Sequence, residues 1–280
     1  TLAVAPQDNN TRTGFLQMHF FDEETIVAQS PDGLWQGTVS PEWNIGDNPN
    51  GGYLLSLITS AFSHEVSHPD PISITTHYLR PGIPDTEFQI KVDVLRVGRT
   101  LTNARATLFQ EGKSRLEVTA VYGDLSESVG VENSIHMRPP IIPSEAQCVD
   151  RSGDLQGIKL PIMNRLNVRL HPDQISPGRT GAPVISGWIG FKNDRAPDAR
   201  ALLLFCDAFP PSPFGLLGNV GWAPTVELTV HIRQRPAPGW ILGEFKTDHL
   251  AGGRMIESGA LWDSSGSLVA QSRQLGLILN

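Results

Sequence analysis

The chain has 280 residues, 39% hydrophobic and 18% charged, with a formal net charge of −7. Those proportions fit a globular chain with room for one large or two medium domains and exclude wholesale disorder. The negative balance speaks against a nucleic-acid surface, which needs a basic stripe.

No apolar run approaches the roughly 20 residues that span a bilayer. The run Thr1-Leu2-Ala3-Val4-Ala5-Pro6 lacks the basic start and apolar core of a secretory leader. A cytoplasmic location without membrane spans is therefore expected. The two cysteines, Cys148 and Cys206, lack metal-ligand spacing and read as thiols in a reducing compartment.

Residues 1–14 are a polar lead-in. Segments 19–28 and 34–39 read as two strands joined by the turn Ser30-Pro31-Asp32-Gly33. The turn-rich loop 44–52 ends in Asn50-Gly51-Gly52. It feeds 53–62, a segment apolar almost all round, which reads as a buried helix. Strands are expected at 72–80, 87–97, 100–111 and 114–123, rich in residues such as Val92, Val94 and Val97. The stretch 125–160 carries Pro139, Pro140 and Pro143 and reads as a linker. Strands at 166–170 and 184–191, a helix at 198–209, and strands at 225–233, 240–248, 254–262 and 267–279 follow.

The second half repeats the first. At a constant offset of 154, Thr75-Thr76-His77 falls on Thr229-Val230-His231, Gly98 on Gly252, Ala106 on Ala260 and Gly112 on Gly266. That period is far longer than a solenoid unit of roughly 20–50 residues and indicates a duplicated domain. Each copy is two strands, one apolar helix and four strands. A helix apolar on every side needs cover on every side, which a curved antiparallel sheet supplies. The expected class is α+β, a double hotdog of two tandem repeats. The N-terminal hotdog takes 15–124, the linker 125–160 and the C-terminal hotdog 161–280. Pairing the two sheets would close an exposed edge on each.

No G-x-S-x-G elbow, phosphate-binding glycine loop or H-E-x-x-H motif is present. His64 and His68 stand four apart, next to Pro69, and read as solvated loop residues rather than a metal pair. Asp207 ends the apolar run Leu202-Leu203-Leu204-Phe205-Cys206. It is either a helix end turned to solvent or a carboxylate in a partly dry cleft, placed to activate a water. Thr225 is either a plain strand opener or a hydroxyl beside that chemistry. Gln274 reads as an outward polar residue or as a site residue, and the repeat puts Ala120 in its place in the first half. Asn50-Gly51-Gly52 is either turn chemistry or a helix start whose free N–H groups hold an anion.

Three further runs carry a resemblance. Asn50-Gly51-Gly52-Tyr53 enters a helix; His77-Tyr78-Leu79-Arg80-Pro81-Gly82 ends a strand; Val94-Leu95-Arg96-Val97-Gly98-Arg99-Thr100 makes a turn. With the closing Leu268-Val269-Ala270-Gln271-Ser272-Arg273-Gln274-Leu275-Gly276, they resemble the acyl-CoA thioesterase II family, whose corresponding runs are "YFLRPG", "LRDG" and "LVASxxQEG". The likeness covers about 35–277 except the linker. It is nearer the diverged thioesterase-like members of actinobacteria and fungi than the bacterial prototype. Leu275 replaces the family's Glu, Phe209-Pro210-Pro211 follows the Asp, and the linker is long.

The resemblance implies a double-hotdog enzyme that hydrolyses fatty acyl-CoA to free acid and CoA. It assigns the catalytic Asp, Thr and Gln to Asp207, Thr225 and Gln274, holding a water with Asp207 as general base. The oxyanion and substrate would meet the helix start Asn50, Gly51, Gly52 and Tyr53. Arg80, Arg99 and Arg235 are the first candidates for the CoA phosphates, with Arg233 and Arg254 behind them. No covalent intermediate, metal or other cofactor is called for, and the partner is the acyl-CoA substrate. A dimer or tetramer is expected, since hotdogs associate through their sheets. Two alternatives remain. One is a hydratase or dehydratase of acyl thioesters, with His77 or His231 in the site; the other is a non-catalytic acyl-binding protein.

Overall fold

A computed structural model describes residues 18–127, 130, 135–153, 157–218 and 223–279 of the chain. The polar lead-in 1–14 and the pair Gly221-Trp222 before Thr225 lie outside the described residues.

The first half contains helix α1 (Phe20–Glu23), strands β1 (Ala28–Gln29) and β2 (Trp35–Thr38), and a small ladder of β3 (Asn44–Ile45) with β4 (Asn48–Pro49). Helix α2 (Gly51–Glu65) and strands β5 (Asp70–Tyr78), β6 (Glu87–Val97), β7 (Thr102–Gln110) and β8 (Lys113–Gly123) complete it. The second half contains β9 (Val149–Asp150), β10 (Leu166–Leu170), β11 (Val184–Phe191), helices α3 (Ala199–Phe205) and α4 (Phe214–Leu217), and β12 (Thr225–Ile232), β13 (Ile241–Ala251), β14 (Arg254–Trp262) and β15 (Leu268–Leu277).

Thirteen of these strands form one antiparallel sheet in the order β1-β2-β6-β7-β8-β5-β12-β15-β14-β13-β11-β10-β9. Apart from the extra edge strand β9, the order is symmetric about the β5–β12 junction. There Thr75 stands opposite Thr229, its own repeat mate, and their hydroxyls lie 2.9 Å apart. The internal two-fold therefore passes through this pair, and each copy's sheet edge is closed by the other's. The double-hotdog α+β architecture expected from the repeat is what the chain adopts.

Helix α2 starts where Asn50 Oδ1 accepts the Tyr53 N–H, an ordinary Asn cap. Every residue from Gly52 to Phe62 is buried. Its polar members cause no debt, because Ser56 and Thr59 donate to backbone carbonyls one turn back. Each large apolar side chain on it contributes roughly 1.5–3 kcal/mol by leaving water.

The segment 19–28, expected as a strand, is instead α1 followed by β1. His19 caps the helix through Nδ1, and Asp22 and Glu23 complement its first turn. Tertiary contacts decide the matter: Phe21 is buried against Trp43 and Phe191, and Asp22 receives Arg195 in two bonds of 2.8 Å. Glu24 likewise takes Arg165. This N-terminal segment is thereby clasped onto the second half.

Helix α3 is shorter than expected and ends at Phe205 rather than 209. Pro210, Pro211 and Pro213 cannot continue it, and each disfavours helix in the residue before it. The expected linker is also partly structural. Val149–Asp150 pairs with β10, while Pro143 and Met137 carbonyls accept the indole N–H groups of Trp188 and Trp262. His64 lies inside α2, stacked on Trp35 at 4.4 Å, and His68 bonds Thr102 and the Arg99 carbonyl. His64 is thus an exposed helix residue rather than a loop residue, and His68 lies in the loop as expected. No described helix is long and apolar enough to cross a membrane.

Helices α2 and α3 approach so closely that a Cβ on Gly52 would sit 2.9 Å from Leu204 Cα and 3.0 Å from its carbonyl oxygen. Backbone cannot swing aside as a side chain does. Gly52→Ala is expected to destabilise the fold by about 1–3 kcal/mol, although Ala is the better helix former. Urea unfolding checks this, and a gain in stability would contradict the packing.

Candidate active site

A cleft of about 310 Å³ opens at the start of α2, between it and the second copy's sheet. Its walls are largely apolar: Leu54 from the first half and Phe209, Phe214, Phe245 and Leu277 from the second. Asp207, Thr225 and Gln274 all line it. Asp207 stands just past the end of α3, where the Pro-rich turn swings its side chain toward α2. Thr225 opens β12 at a bulge, and Gln274 occupies the inner face of β15, opposite Leu228 on one side and Glu257 on the other.

The Asp207 carboxylate is gripped by the other half. Its Oδ2 accepts from Gly52 N–H and from Asn50 Nδ2, both at 2.9 Å. Asn50 Nδ2 also reaches the Asp207 carbonyl at 2.8 Å. Oδ1 is left toward Thr225, whose hydroxyl donates at 3.5 Å, a long contact of the sort that tightens in substrate complexes. Burial pushes the carboxyl up to about 6, against hydrogen bonds from Gly52, Gly51, Thr225 and Asn50 that favour the ionised form.

The expected anion site at the start of α2 is thus filled by the protein's own carboxylate. Gly52 N–H goes to Asp207 and Tyr53 N–H to Asn50, so neither faces a substrate oxyanion. Tyr53 leaves the substrate list as well. Its ring stacks on Trp43 at 5.2 Å, and its hydroxyl bridges Ser40 N–H and the Glu24 carbonyl, within the core. The glycines are required for the grip itself: a Cβ on Gly51 would meet the Tyr78 ring at 2.7 Å and Asp207 Oδ2 at 3.0 Å.

Of the cations proposed for CoA, Arg80 lies on the cleft rim, donating to the Ser114 carbonyl. Arg254 is paired with Leu277, a cleft residue, and stands at the same end. Arg99 and Arg235 are at the opposite end of the sheet. Arg235 grips Asp70, at the start of β5, in a two-bond pair, and the Arg99 carbonyl meets His68. Arg233, just past the end of β12, is also on that far side.

Sequence reasoning missed Glu257. It is buried on the cleft wall, where Oε2 accepts the Ser212 N–H at 2.8 Å and ties the Pro-rich turn to the sheet. Ser212 Oγ in turn meets Thr247 Oγ1 at 2.8 Å. Burial raises the Glu257 carboxyl. Counting in twos from the buried Met255 would have placed it on the inner face. Cys206 also borders the cleft, but burial pushes its thiol up to about 12, so it offers no thiolate.

With this geometry in place, comparison with known proteins is decisive for the family. Residues 39–123 match the acyl-CoA thioesterase N-terminal domain and 143–278 the C-terminal domain. The chain belongs to the acyl-CoA thioesterase family. A thioesterase II candidate from Thermobifida fusca is 29% identical, covers 95% of this chain and all of its own, and superposes with a TM-score of 0.82. An uncharacterised protein of Mycobacterium tuberculosis is 23% identical over 267 residues, 88% of this chain and 91% of its own. The dehydratase domain of RzxB from Pseudomonas fluorescens, 11% identical and spanning 89% of this chain and 96% of its own, has a TM-score of 0.56 and shares the fold alone.

A carboxyl raised from 3.8 to about 6 favours the fold when protonated. That contribution is whole below 3.8 and lost as pH rises through about 6. Asp207→Asn keeps the acceptor for Asn50 and Gly52 but does not titrate. Thermal melts from pH 4 to 7 should show the wild type losing stability relative to the variant across this window. A difference that stays flat with pH would contradict the raised carboxyl.

Proposed function

We propose that the protein hydrolyses acyl-CoA thioesters to the free acid and CoA, with a water held by Asp207, Thr225 and Gln274. The observation that carries this reading is the two-sided environment of Asp207. One carboxylate oxygen is fixed by α2, and the other looks into an apolar cleft beside a hydroxyl.

In this reading the acyl chain lies among Leu54, Phe209, Phe214, Phe245 and Leu277, and the CoA phosphates run out past Arg80, with Arg254 at the same end. Asp207 Oδ1 takes a proton as the water oxygen attacks the carbonyl carbon. The tetrahedral intermediate collapses, the C–S bond breaks toward sulfur, and Asp207 returns the proton to the departing thiolate. Thr225 and Gln274 fix the water in line, which converts an encounter into a positioned attack. A carboxyl near pH 6 is ionised at neutral pH yet basic enough to accept the proton, which suits a general base. The Cys206 thiol stays protonated and is not the nucleophile.

Neither rival reading has comparable support. A hydratase or dehydratase of this architecture would want a histidine in the cleft. His77 and His231 are exposed on the sheet's outer face, and no described cleft residue is a histidine. A binder with no turnover would not need a carboxylate oxygen turned into the cleft beside a hydroxyl.

A CoA-release screen across acyl lengths tests the reaction, with hydration of 2-enoyl-CoA measured beside it. Release without hydration supports hydrolysis, and hydration without release would replace it. The Asp207→Asn variant should lose most turnover with its fold intact, whereas wild-type rates would remove Asp207 from the chemistry. Gln274→Ala should slow kcat roughly 10- to 1000-fold. The wild-type kcat/KM should fall about tenfold per pH unit below a limb near 6. A limb near 4 would mean that the base is solvated.

A further inference from the structure

Resting on the hydrolase reading, one part of the reaction lacks a group: nothing yet faces the oxygen on which negative charge develops. The donors expected for it are already used. Gly52 N–H, Asn50 Nδ2 and the Thr225 hydroxyl point at Asp207, and Tyr53 N–H points at Asn50.

Among the described residues that line the cleft, one donor is both fully buried and without a partner. Tyr78 ends β5 on the inner face, in step with the buried Ile74 and Thr76. Its ring lies against Gly51, within 2.9 Å of the point where a Cβ would stand; Asp207 Oδ2 is 3.0 Å from that same point. The Tyr78 hydroxyl is buried and makes no hydrogen bond. Buried hydroxyls almost always find a partner, so this one calls for explanation. Asn44, Thr76, Arg115 and Tyr122 also carry a buried polar atom without a partner, yet none of them lines the cleft, and Tyr78 does. Burial, then the nearby Asp207 and Glu227 charges, hold the phenol far above its ordinary titration range, so it stays a donor at every working pH.

We propose that the Tyr78 hydroxyl is a catalytic donor of this site, giving its O–H to the thioester carbonyl oxygen. When water attacks, the carbonyl π electrons move onto that oxygen and the water proton goes to Asp207. The new charge is held by the Tyr78 O–H, which keeps its own proton. On collapse the electrons return, the C–S bond breaks with its pair on sulfur, and Asp207 protonates the sulfur. A preformed donor in an apolar cleft needs no reorganisation at that moment, which is why such groups rank among the largest single contributions to catalysis.

Tyr78→Phe tests this, because the ring that packs on Gly51 remains and only the hydroxyl goes. The expected result is a fall in kcat of about 100- to 1000-fold, with KM little changed and the melting temperature no lower than wild type. A second readout does not depend on turnover. A non-hydrolysable acyl-CoA ketone, with methylene in place of sulfur, is bound to each protein and its C=O stretch recorded by infrared difference spectroscopy. Wild type should shift the band to lower frequency, and the variant should lose most of that shift. Wild-type kcat in the variant, or the same band in both proteins, overturns the donor and leaves the hydrolase reading standing. A band shift that depends on Tyr78 in a protein that releases no CoA keeps the donor and removes the hydrolase reading.

Discussion

The site depends on one contact: the grip of α2's first turn on the Asp207 carboxylate. An ionised side chain cannot be taken from water without compensation, and here the compensation comes from the other half of the molecule. Asn50 and the Gly52 N–H hold one oxygen and fix which way the second one faces. Asp207 belongs to the second copy and its holder to the first, so the arrangement exists only at the junction of the two. The need for glycine at 51 and 52 follows directly. A side chain there would push against Tyr78, Leu204 or the carboxylate.

The duplication shows how the two copies differ around the cleft. The two-fold passes through Thr75 and Thr229, which still face each other hydroxyl to hydroxyl. Away from that axis the copies diverge in polarity. At the same offset Gln274 corresponds to Ala120, which is buried against its neighbours, and Thr225 corresponds to Pro71. The first copy carries the helix start and the strand end with Tyr78. The second carries Asp207, Thr225 and Gln274, which surround the water in the proposed reaction. Each half is incomplete without the other, and the shared sheet is the scaffold that aligns them.

Much of this was legible from residue order alone. The period of 154 gave the duplication, alternation gave the long strands, and the all-round apolar run of α2 gave the wrapped helix. The rest escaped for physical reasons. Phe20–Glu23 is helical because Phe21 and Asp22 meet partners about 170 residues away. Asn50-Gly51-Gly52 had the form of an anion site, but no local pattern could reveal that the anion was Asp207. Arg235 resembled a phosphate ligand until Asp70 proved to be its partner. Tyr53 sat in the right motif and faces the wrong side, toward Trp43. Glu257 was readable in principle from strand periodicity, since it lies two residues from Met255 on the same face of β14.

If the pinned carboxylate acts as a base, its oxygens never join the substrate. A single turnover with enzyme in excess, run in ¹⁸O-labelled water, separates base from nucleophile. The account predicts that the released fatty acid carries the label in that first turnover and that the Asp207 carboxyl carries none. Unlabelled acid, with ¹⁸O found in the peptide that contains Asp207, would mean that the aspartate itself attacks and would contradict the account.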